Sequence, residues 1–248
     1  MTTETKPPSL GYKSVLVYGR PKIGKTVDVH FATGGKALTI LAEPGGLDSV
    51  GPLLGKEPEH VLLTDLSQPH AEAQRVLVKV AKGIVEKRWR SVIFDSFTAF
   101  AERVLMAHLE SAKDGRLAYG RMERDVVDIV QRFLYLPNAW VFGIFHEQPG
   151  RMDERGATRG GPMVPGRFFH EQMVGMFSLV LRAYSDGNQR LYSCDPLSNA
   201  WATGDRFGVT TRVQPMDLRP LLWKVVKPGE PIPDFPEKKV EETEKGNF

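Results

Sequence analysis

The chain has 248 residues, 41% of them hydrophobic and 25% charged, and a formal net charge of +3. This length suits one globular domain with or without tails, and so small a net charge identifies no partner. The only cysteine, Cys194, excludes an internal disulfide framework and a cysteine-rich zinc module. No apolar run approaches the roughly 18 residues that a membrane span needs, so we expect a soluble, cytoplasmic protein with no membrane partner.

The two ends of the chain differ in composition from its centre. Residues 1–12 contain prolines and polar residues without hydrophobic periodicity, and we expect a flexible lead-in. Residues 227–248 are rich in Pro, Glu and Lys, cannot offset their own ordering entropy and are expected to form a disordered charged tail. The sequence therefore predicts one folded domain over residues 13–226.

Within that domain, short apolar runs alternate with amphipathic segments. The runs are nearly continuous, which is typical of parallel strands covered on both faces. They are Ser14–Tyr18, Ala37–Ala42, Val61–Thr64, Ser91–Phe94 and Ala139–Phe145. Helical periodicity appears in Ala71–Glu86 and in Gly120–Leu136. Farther on, SLVLRAYS and QRLYSC, joined by DGN, predict a hairpin. We therefore predict an α/β fold with a mostly parallel central sheet flanked by helices and with antiparallel C-terminal strands.

A phosphate-binding pattern follows the first predicted strand. The segment GRPKIGKT matches G-x-x-x-x-G-K-[ST] and lies between the strand SVLVY and the helical segment TVDVHFA. Such a loop points backbone N–H groups at a phosphate chain, and the helix N-terminus adds partial positive charge. Lys25 is expected to contact the β- and γ-phosphates of ATP, and Thr26 to hold Mg²⁺. The predicted cradle comprises Gly19, Arg20, Pro21, Lys22, Ile23, Gly24, Lys25 and Thr26.

An acid near the metal is also expected. The segment SVIFDSF places Asp95 at the end of a buried strand, which is the form of a Walker B segment and makes Asp95 the second metal-site candidate. Ligands of open α/β sheets bind beyond the carboxyl ends of strands. Gly19, Glu43, Asp95 and Gln148 all follow such ends, so we expect them to converge on one site.

From Lys13 to Arg212 the chain resembles the RecA-like recombination ATPases, and among them the compact phage-encoded proteins associated with single-strand annealing. LAEPGGLDSV resembles the segment whose glutamate activates water, and DSFTAF resembles the Walker B strand. NAWVFGIFHEQ resembles the strand that ends in a γ-phosphate-sensing glutamine. The resemblance implies Glu43 as the base and Gln148, or alternatively His146, as the sensor. It also implies a DNA recombination or repair protein that promotes annealing or strand pairing.

Two departures from that family bear on assembly. The short N-terminal segment leaves no obvious room for the helix and strand with which RecA packs on its neighbour. The segment WATGDRFG has Gly204 where related ATPases have the lysine of a Lys-x-Arg pair. Arg206 is therefore either a finger acting on a neighbouring subunit or a solvent-facing arginine. The resemblance still implies a homo-oligomer, as a ring or a filament.

A basic, glycine-rich loop separates the two copies of the tetrapeptide FHEQ. The resemblance makes this loop a contact for single-stranded DNA, because arginines bind phosphate backbones. The candidates are Arg151, Arg155, Arg159 and Arg167. Phe168 and Phe169 are either base-stacking residues or the core face of the next helix, and the core reading is favoured. A second basic stretch holds Lys113, Arg116, Arg121 and Arg124, interspersed with acids.

Other functions stay open. A small-molecule P-loop kinase would use the arginine-rich loop as a lid, and a nucleotide-gated DNA-binding module would hydrolyse little ATP. A GTPase is disfavoured because no Asn/Thr-Lys-x-Asp motif occurs. A metal hydrolase built on His146, Glu147, His170 and Glu171 is disfavoured because adjacent residues of a strand point to opposite faces. The tail is a solubilising extension or a contact for a partner such as a single-strand-binding protein.

Overall fold

The computed structural model describes residues 13–235 except 113, 151, 154, 155, 158, 167, 168, 196 and 199. For residues 152, 153, 156, 157 and 170 it describes the backbone alone. The helices and strands follow one another along this stretch in the alternating manner expected of an α/β domain.

Parallel strands form the centre of the sheet. They are β1 (Lys13–Gly19), β2 (Ala37–Leu41), β3 (His60–Leu62), β4 (Ser91–Asp95) and β5 (Trp140–Gln148). β1 pairs with β5, β5 with β4, β4 with β2, and β2 with β3, each pair being parallel. Each apolar run of the sequence is thus confirmed as a strand, with its ends shifted by a few residues.

The C-terminal half adds the remaining strands. They are β6 (Met152–Asp153), β7 (Gly156–Ala157), β8 (Gly161–Pro162), β9 (Leu179–Asp186), β10 (Gln189–Ser193), β11 (Gly204–Asp205) and β12 (Val213–Pro215). β9 runs parallel to β1 on the side away from β5, and β10 returns antiparallel to β9. The main sheet order is β12-β10-β9-β1-β5-β4-β2-β3. The predicted mostly parallel sheet with antiparallel C-terminal strands is therefore confirmed.

Helices cover both faces of this sheet. They are α1 (Lys25–Ala32), α2 (Gly51–Leu54), α3 (Pro69–Val85), α4 (Phe97–Ser111), α5 (Gly115–Leu134), α6 (Phe169–Met176) and α7 (Leu218–Val226). One buried cluster joins α3, α4, α5 and α6 to the sheet, and a second joins α1 and α7 to its other face. Strand alternation separates the two, since β5 gives Phe145 to the first cluster and Ile144 to the second.

An aromatic stack anchors the acidic end of β4. Phe94 lies 4.3 Å from Phe97 between ring centroids, and Phe97 lies 4.9 Å from Phe145. These rings are almost entirely buried, so the first residues of α4 are fixed to β4 and β5 at once. Asp95 lies between the two stacked phenylalanines in sequence and is held at the carboxyl edge of the sheet by this packing.

Residues 227–235, the start of the predicted tail, lie against α7. The Trp223 Nε1 atom donates a hydrogen bond to the Pro231 carbonyl at 3.1 Å, and the Arg219 guanidinium lies 5.2 Å from the centroid of the Phe235 ring. Residues 1–12 and 236–248 are outside the described part, and the domain bounds stay predictions. Among the described helices, none combines the length and the apolar character that crossing a bilayer requires.

Candidate functional site

The loop between β1 and α1 takes the tight form that its glycines permit. A Cβ at Gly19 would lie 2.3 Å from the Ala183 carbonyl oxygen on β9, so only glycine fits where the two strands meet. Gly24 precedes α1 with φ of 100°, a conformation that L side chains rarely adopt. The glycines of the motif are therefore required by close approach at one end of the loop and by backbone conformation at the other.

The Lys25 side chain folds back into this loop. Its Nζ atom donates to the carbonyl oxygens of Gly19 at 2.9 Å and Arg20 at 2.8 Å. Only 6% of Lys25 is exposed, and burial lowers its pKa to about 8, although Asp95 and Glu147 act in the opposite direction. The ammonium is thus held on the concave side of the loop with little water around it, where it would attract an anion strongly.

Thr26 and Asp95 meet at the start of α1. The Thr26 hydroxyl donates a 2.7 Å hydrogen bond to Asp95 Oδ2. Burial raises the pKa of Asp95 to about 6, the Thr26 hydrogen bond and Lys25 lower it, and Glu43 adds to the increase. An ionised carboxylate in this place is destabilised by its lost hydration, and a cation would offset that cost.

These residues fit Mg²⁺. A hydroxyl and a carboxylate are hard oxygen ligands, and Mg²⁺ is usually bound through one or two protein ligands together with water and substrate phosphates. Among the described residues, no group of three or more His, Cys, Asp or Glu side chains lies where it could hold a metal ion. Thr26 and Asp95 are accordingly the residues that would hold the ion, and Lys25 lies beside them.

Glu43 follows β2 at the same edge of the sheet as Asp95. The Ala42 N–H donates to the Asp95 carbonyl at 3.2 Å, so the two acidic residues leave neighbouring strand ends together. Glu43 is exposed, so its side chain is accessible to solvent at this end of the sheet. Burial raises the pKa of Asp95, and the Glu43 carboxylate adds to that increase. Burial and Lys25 lower the pKa of His146, and Glu43 opposes that decrease.

An arginine that the sequence analysis did not identify fixes the strand end before Glu43. Arg103, on α4, donates from Nη1 to the carbonyl oxygens of Ala42 and, at 3.0 Å, Leu63. Ala42 follows β2 and Leu63 follows β3, where the parallel ladder stops and backbone acceptors need partners. Arg103 therefore positions the backbone from which Glu43 projects.

The end of β5 brings His146 and Gln148 toward the phosphate loop. His146 is opposite Gly19 in the β1–β5 register, and Gln148 pairs with Gly161 of β8. The Thr98 hydroxyl accepts from the His146 N–H at 3.0 Å and donates to the Met163 carbonyl at 2.8 Å. Both sensor candidates thus lie on backbone that is joined to β8 and to Met163, which belong to the arginine-rich loop.

Glu147, between these two, has a different environment. Its carboxylate accepts from Arg20 Nε at 3.2 Å and from Arg182 Nε at 3.1 Å. The Arg182 guanidinium lies 3.6 Å from the centroid of the Trp201 ring. Glu147 thus links the phosphate loop to β9 through two arginines. In the sequence, the feature that could have indicated this role is the carboxylate of Glu147 two residues beyond the buried Phe145.

The DNA-contact candidates are only partly described. Arg151, Arg155 and Arg167 lie outside the described residues, as do Phe168 and Lys113. Arg159 is partly buried and donates from Nη2 to the Trp201 carbonyl at 3.0 Å. Of the second basic stretch, the side chains of Arg116, Arg121 and Arg124 are exposed on α5.

One aromatic candidate, Phe169, and one basic candidate, Arg206, lie away from the site. Phe169 is 2% exposed and Met173 fully buried, so the core reading of Phe169 is confirmed. Arg206 is exposed, and its N–H donates to the Ser178 carbonyl at 2.8 Å. The neighbouring Asp205 pairs with Leu179 at the start of β9. Because β9 runs parallel to β1, this is the end of the strands opposite the phosphate loop. Within one chain Arg206 therefore does not reach the site, and a catalytic role is limited to one in a neighbouring subunit.

No protein-family model matches the chain, and no curated protein matches it. Among solved structures the chain is similar to a KaiC-like protein from the hyperthermophilic archaeon Pyrococcus horikoshii, at 12% identity and a TM-score of 0.44. The similarity covers 74% of this chain and 79% of that one. It is too distant to assign a family, so the fold class rests on the strand order and the function on the site.

Proposed function

We propose that this chain is a Mg²⁺-dependent P-loop ATPase of the RecA-like class. The observation that carries the proposal is the hydrogen bond between Thr26 and Asp95 beside the buried Lys25 ammonium. It brings together the parts that phosphoryl transfer needs, namely a phosphate cradle, two metal ligands and a cation at the phosphates. Glu43 follows β2, which is separated from β1 in the sheet by β5 and β4. Its carboxylate supplies the base that activates water.

The chemistry assigned to these residues is electrostatic. Lys25 and the loop N–H groups stabilise negative charge that develops on the transferred phosphoryl group. Glu43 orients the attacking water and accepts its proton, and Gln148 contacts the γ-phosphate. Thr26 and Asp95 would hold Mg²⁺, which would neutralise part of the negative charge of the phosphates.

The finer proposal is a single-stranded DNA partner and a role in annealing or strand pairing. It is supported by the sequence resemblance and by the attachment of the arginine-rich loop to the site, since Gln148 pairs with Gly161, a residue of that loop. Loss of the γ-phosphate contact would make the loop less ordered and thereby lower its affinity for DNA. A ring or filament of identical subunits and a single-strand-binding protein as partner belong to the same proposal.

Phosphate release with and without single-stranded DNA tests this proposal. We expect ATP hydrolysis that requires Mg²⁺ and rises severalfold with DNA, and a stimulation that weakens with salt because phosphate contacts release counterions. Replacing Arg155 and Arg159 by Ala should reduce DNA affinity. Arg88→Ala and Arg90→Ala are controls of equal charge change, because both arginines are exposed and precede β4, at the end of that strand away from Asp95. Hydrolysis that DNA leaves unchanged would contradict the DNA role alone.

A small-molecule kinase is the second candidate, because the arginine-rich loop is attached at Gln148, the proposed γ-phosphate contact, and could close over an acceptor. Transfer of labelled γ-phosphate to nucleosides or nucleotides, rather than to water, would favour it. A nucleotide-gated binding module would instead bind ATP and DNA with negligible turnover under both conditions.

A further inference from the structure

An arginine outside the sequence motifs lies against the phosphate loop. A Cβ placed on Gly24 would be 3.0 Å from Nη1 of Arg190, which is a residue of β10. Arg190 is exposed, and within the described residues it makes no ion pair. The guanidinium therefore lies next to Gly24, the residue that precedes α1.

The position of Arg190 is set by the packing of β10 along α1. Tyr192, two residues farther along β10, donates a hydrogen bond to Asp28, four residues beyond Gly24. Two strand residues advance about 6.7 Å and four helical residues about 6 Å, so the strand and the helix keep step over this distance. Residues 190 and 192 also point to the same face of β10. The buried Tyr192–Asp28 hydrogen bond thus holds Arg190 over the start of the helix.

The start of α1 favours a negatively charged ligand. The start of a helix carries partial positive charge, and the Lys25 ammonium lies immediately beside it. Nearby arginines have a carboxylate, since Arg20 and Arg182 share Glu147. Arg190 lacks such a partner among the described residues, so its guanidinium is available to an anionic ligand on the loop.

The strand order indicates which part of a nucleotide Arg190 meets. From the phosphate loop on β1, the metal ligand Asp95 and the acid Glu43 lie toward β4 and β2, whereas β9 and β10 lie on the other side. A phosphate chain with its γ-phosphate at the metal side has its α-phosphate and nucleoside toward β10. Contacts on that side are made equally to a nucleoside diphosphate and a triphosphate.

We propose that Arg190 is a further nucleotide-binding residue that contacts the α- or β-phosphate of a nucleoside di- or triphosphate held by the loop. This inference rests on the proposed ATPase function and deepens it. Lys25 and Glu43 serve the step of hydrolysis, whereas Arg190 serves the affinity for both substrate and product. The guanidinium offers the planar, forked donors that phosphate oxygens accept well.

The test is the dissociation constant of Mg²⁺–ADP and of Mg²⁺–ATP, measured by calorimetry for the wild-type chain, Arg190→Gln and Arg190→Lys. Arg190→Gln should weaken both nucleotides by about tenfold or more, the size of one charge-assisted hydrogen bond, and Arg190→Lys by less. The KM for ATP should rise more than kcat falls. Arg212→Gln is the matched control, because Arg212 is an exposed arginine near β12 whose partner is Asp195.

Several results would overturn the assignment. An ADP affinity within twofold of wild type in Arg190→Gln would remove Arg190 from the nucleotide site and leave the ATPase proposal intact. Weaker ATP binding with unchanged ADP binding would place Arg190 at the γ-phosphate instead. A wild-type chain that binds neither nucleotide would refute the proposed function itself. Thermal unfolding of each variant shows whether Arg190→Gln is folded, and Arg190→Lys supplies the result if it is not.

Discussion

Thr26 and Asp95 are 69 positions apart in the chain, yet the hydroxyl of the first donates a 2.7 Å hydrogen bond to the carboxylate of the second. The bond joins the first turn of α1 to the end of β4. It therefore places both candidate ligands of Mg²⁺ within one ion's reach of the phosphate loop.

Replacing Thr26 by Val should raise the Mg²⁺ concentration that half-saturates ATP hydrolysis, by about tenfold, because one hard oxygen ligand is lost without change of volume. Thr26→Ser keeps the hydroxyl and is the matched control, expected to stay near wild type. A magnesium titration of phosphate release measures both. Equal half-saturation in wild type and Thr26→Val would mean that this hydroxyl does not hold the ion.

Glu43→Gln should bind ATP normally and hydrolyse it about 10²- to 10⁴-fold more slowly, which is the usual contribution of a positioned general base. Asp48→Asn serves as the control, because Asp48 is an exposed acid on the same segment. Single-turnover phosphate release, with binding measured separately, distinguishes the two steps. Wild-type turnover in Glu43→Gln would assign the water to another residue.

Glu147 should couple more strongly to Arg182 than to Arg20. The Arg182 side chain is 17% exposed and the Arg20 side chain 84% exposed, so water screens the second pair far more. Double-mutant cycles with Gln at each position, measured by urea unfolding, should give about 1–2 kcal/mol for Glu147–Arg182 and below about 1 kcal/mol for Glu147–Arg20. The reverse order would show that Arg20 is the buried partner.

His30 should make stability depend on pH. It is 1% exposed, and burial lowers its pKa from 6.5 to about 4. The folded state therefore holds the neutral ring, and the stabilisation is present above pH 6.5 and lost as the pH falls toward 4. The free energy of unfolding should drop by about 2–3 kcal/mol more in wild type than in His30→Gln over that range. Parallel pH profiles in urea would contradict a buried, neutral His30.

Local patterns in the sequence are enough to predict the phosphate loop and the parallel strands. The loop motif has fixed spacing between Gly19 and Thr26, and its flanks state which element comes before and after. Buried strands reveal themselves by continuous apolar runs. Helix α4 carries apolar residues at helical spacing from Phe97 to Leu105. This pattern indicates a helix as clearly as the others do, but the sequence interpretation missed it.

Contacts between distant strands could not be predicted in the same way. Arg182 lies between Glu147 and Trp201 because β9 pairs with β1 and not with its sequence neighbour β8. Arg190 reaches Gly24 only because β10 runs beside α1. Spacing along the chain predicts neither contact, because the two residues of each contact meet only through the strand order, which the sequence does not give.

The central claim is that the loop from Gly19 to Thr26 binds and hydrolyses ATP. Its most direct test is Mg²⁺-dependent phosphate release by wild type and Lys25→Ala, with thermal unfolding to confirm that both are folded. We predict ATP turnover in wild type and a turnover lower by about 10²-fold or more in Lys25→Ala. The variant should still fold, because the Lys25 ammonium is held at the loop and not in the apolar core. Undiminished phosphate release by a folded Lys25→Ala variant would contradict the claim.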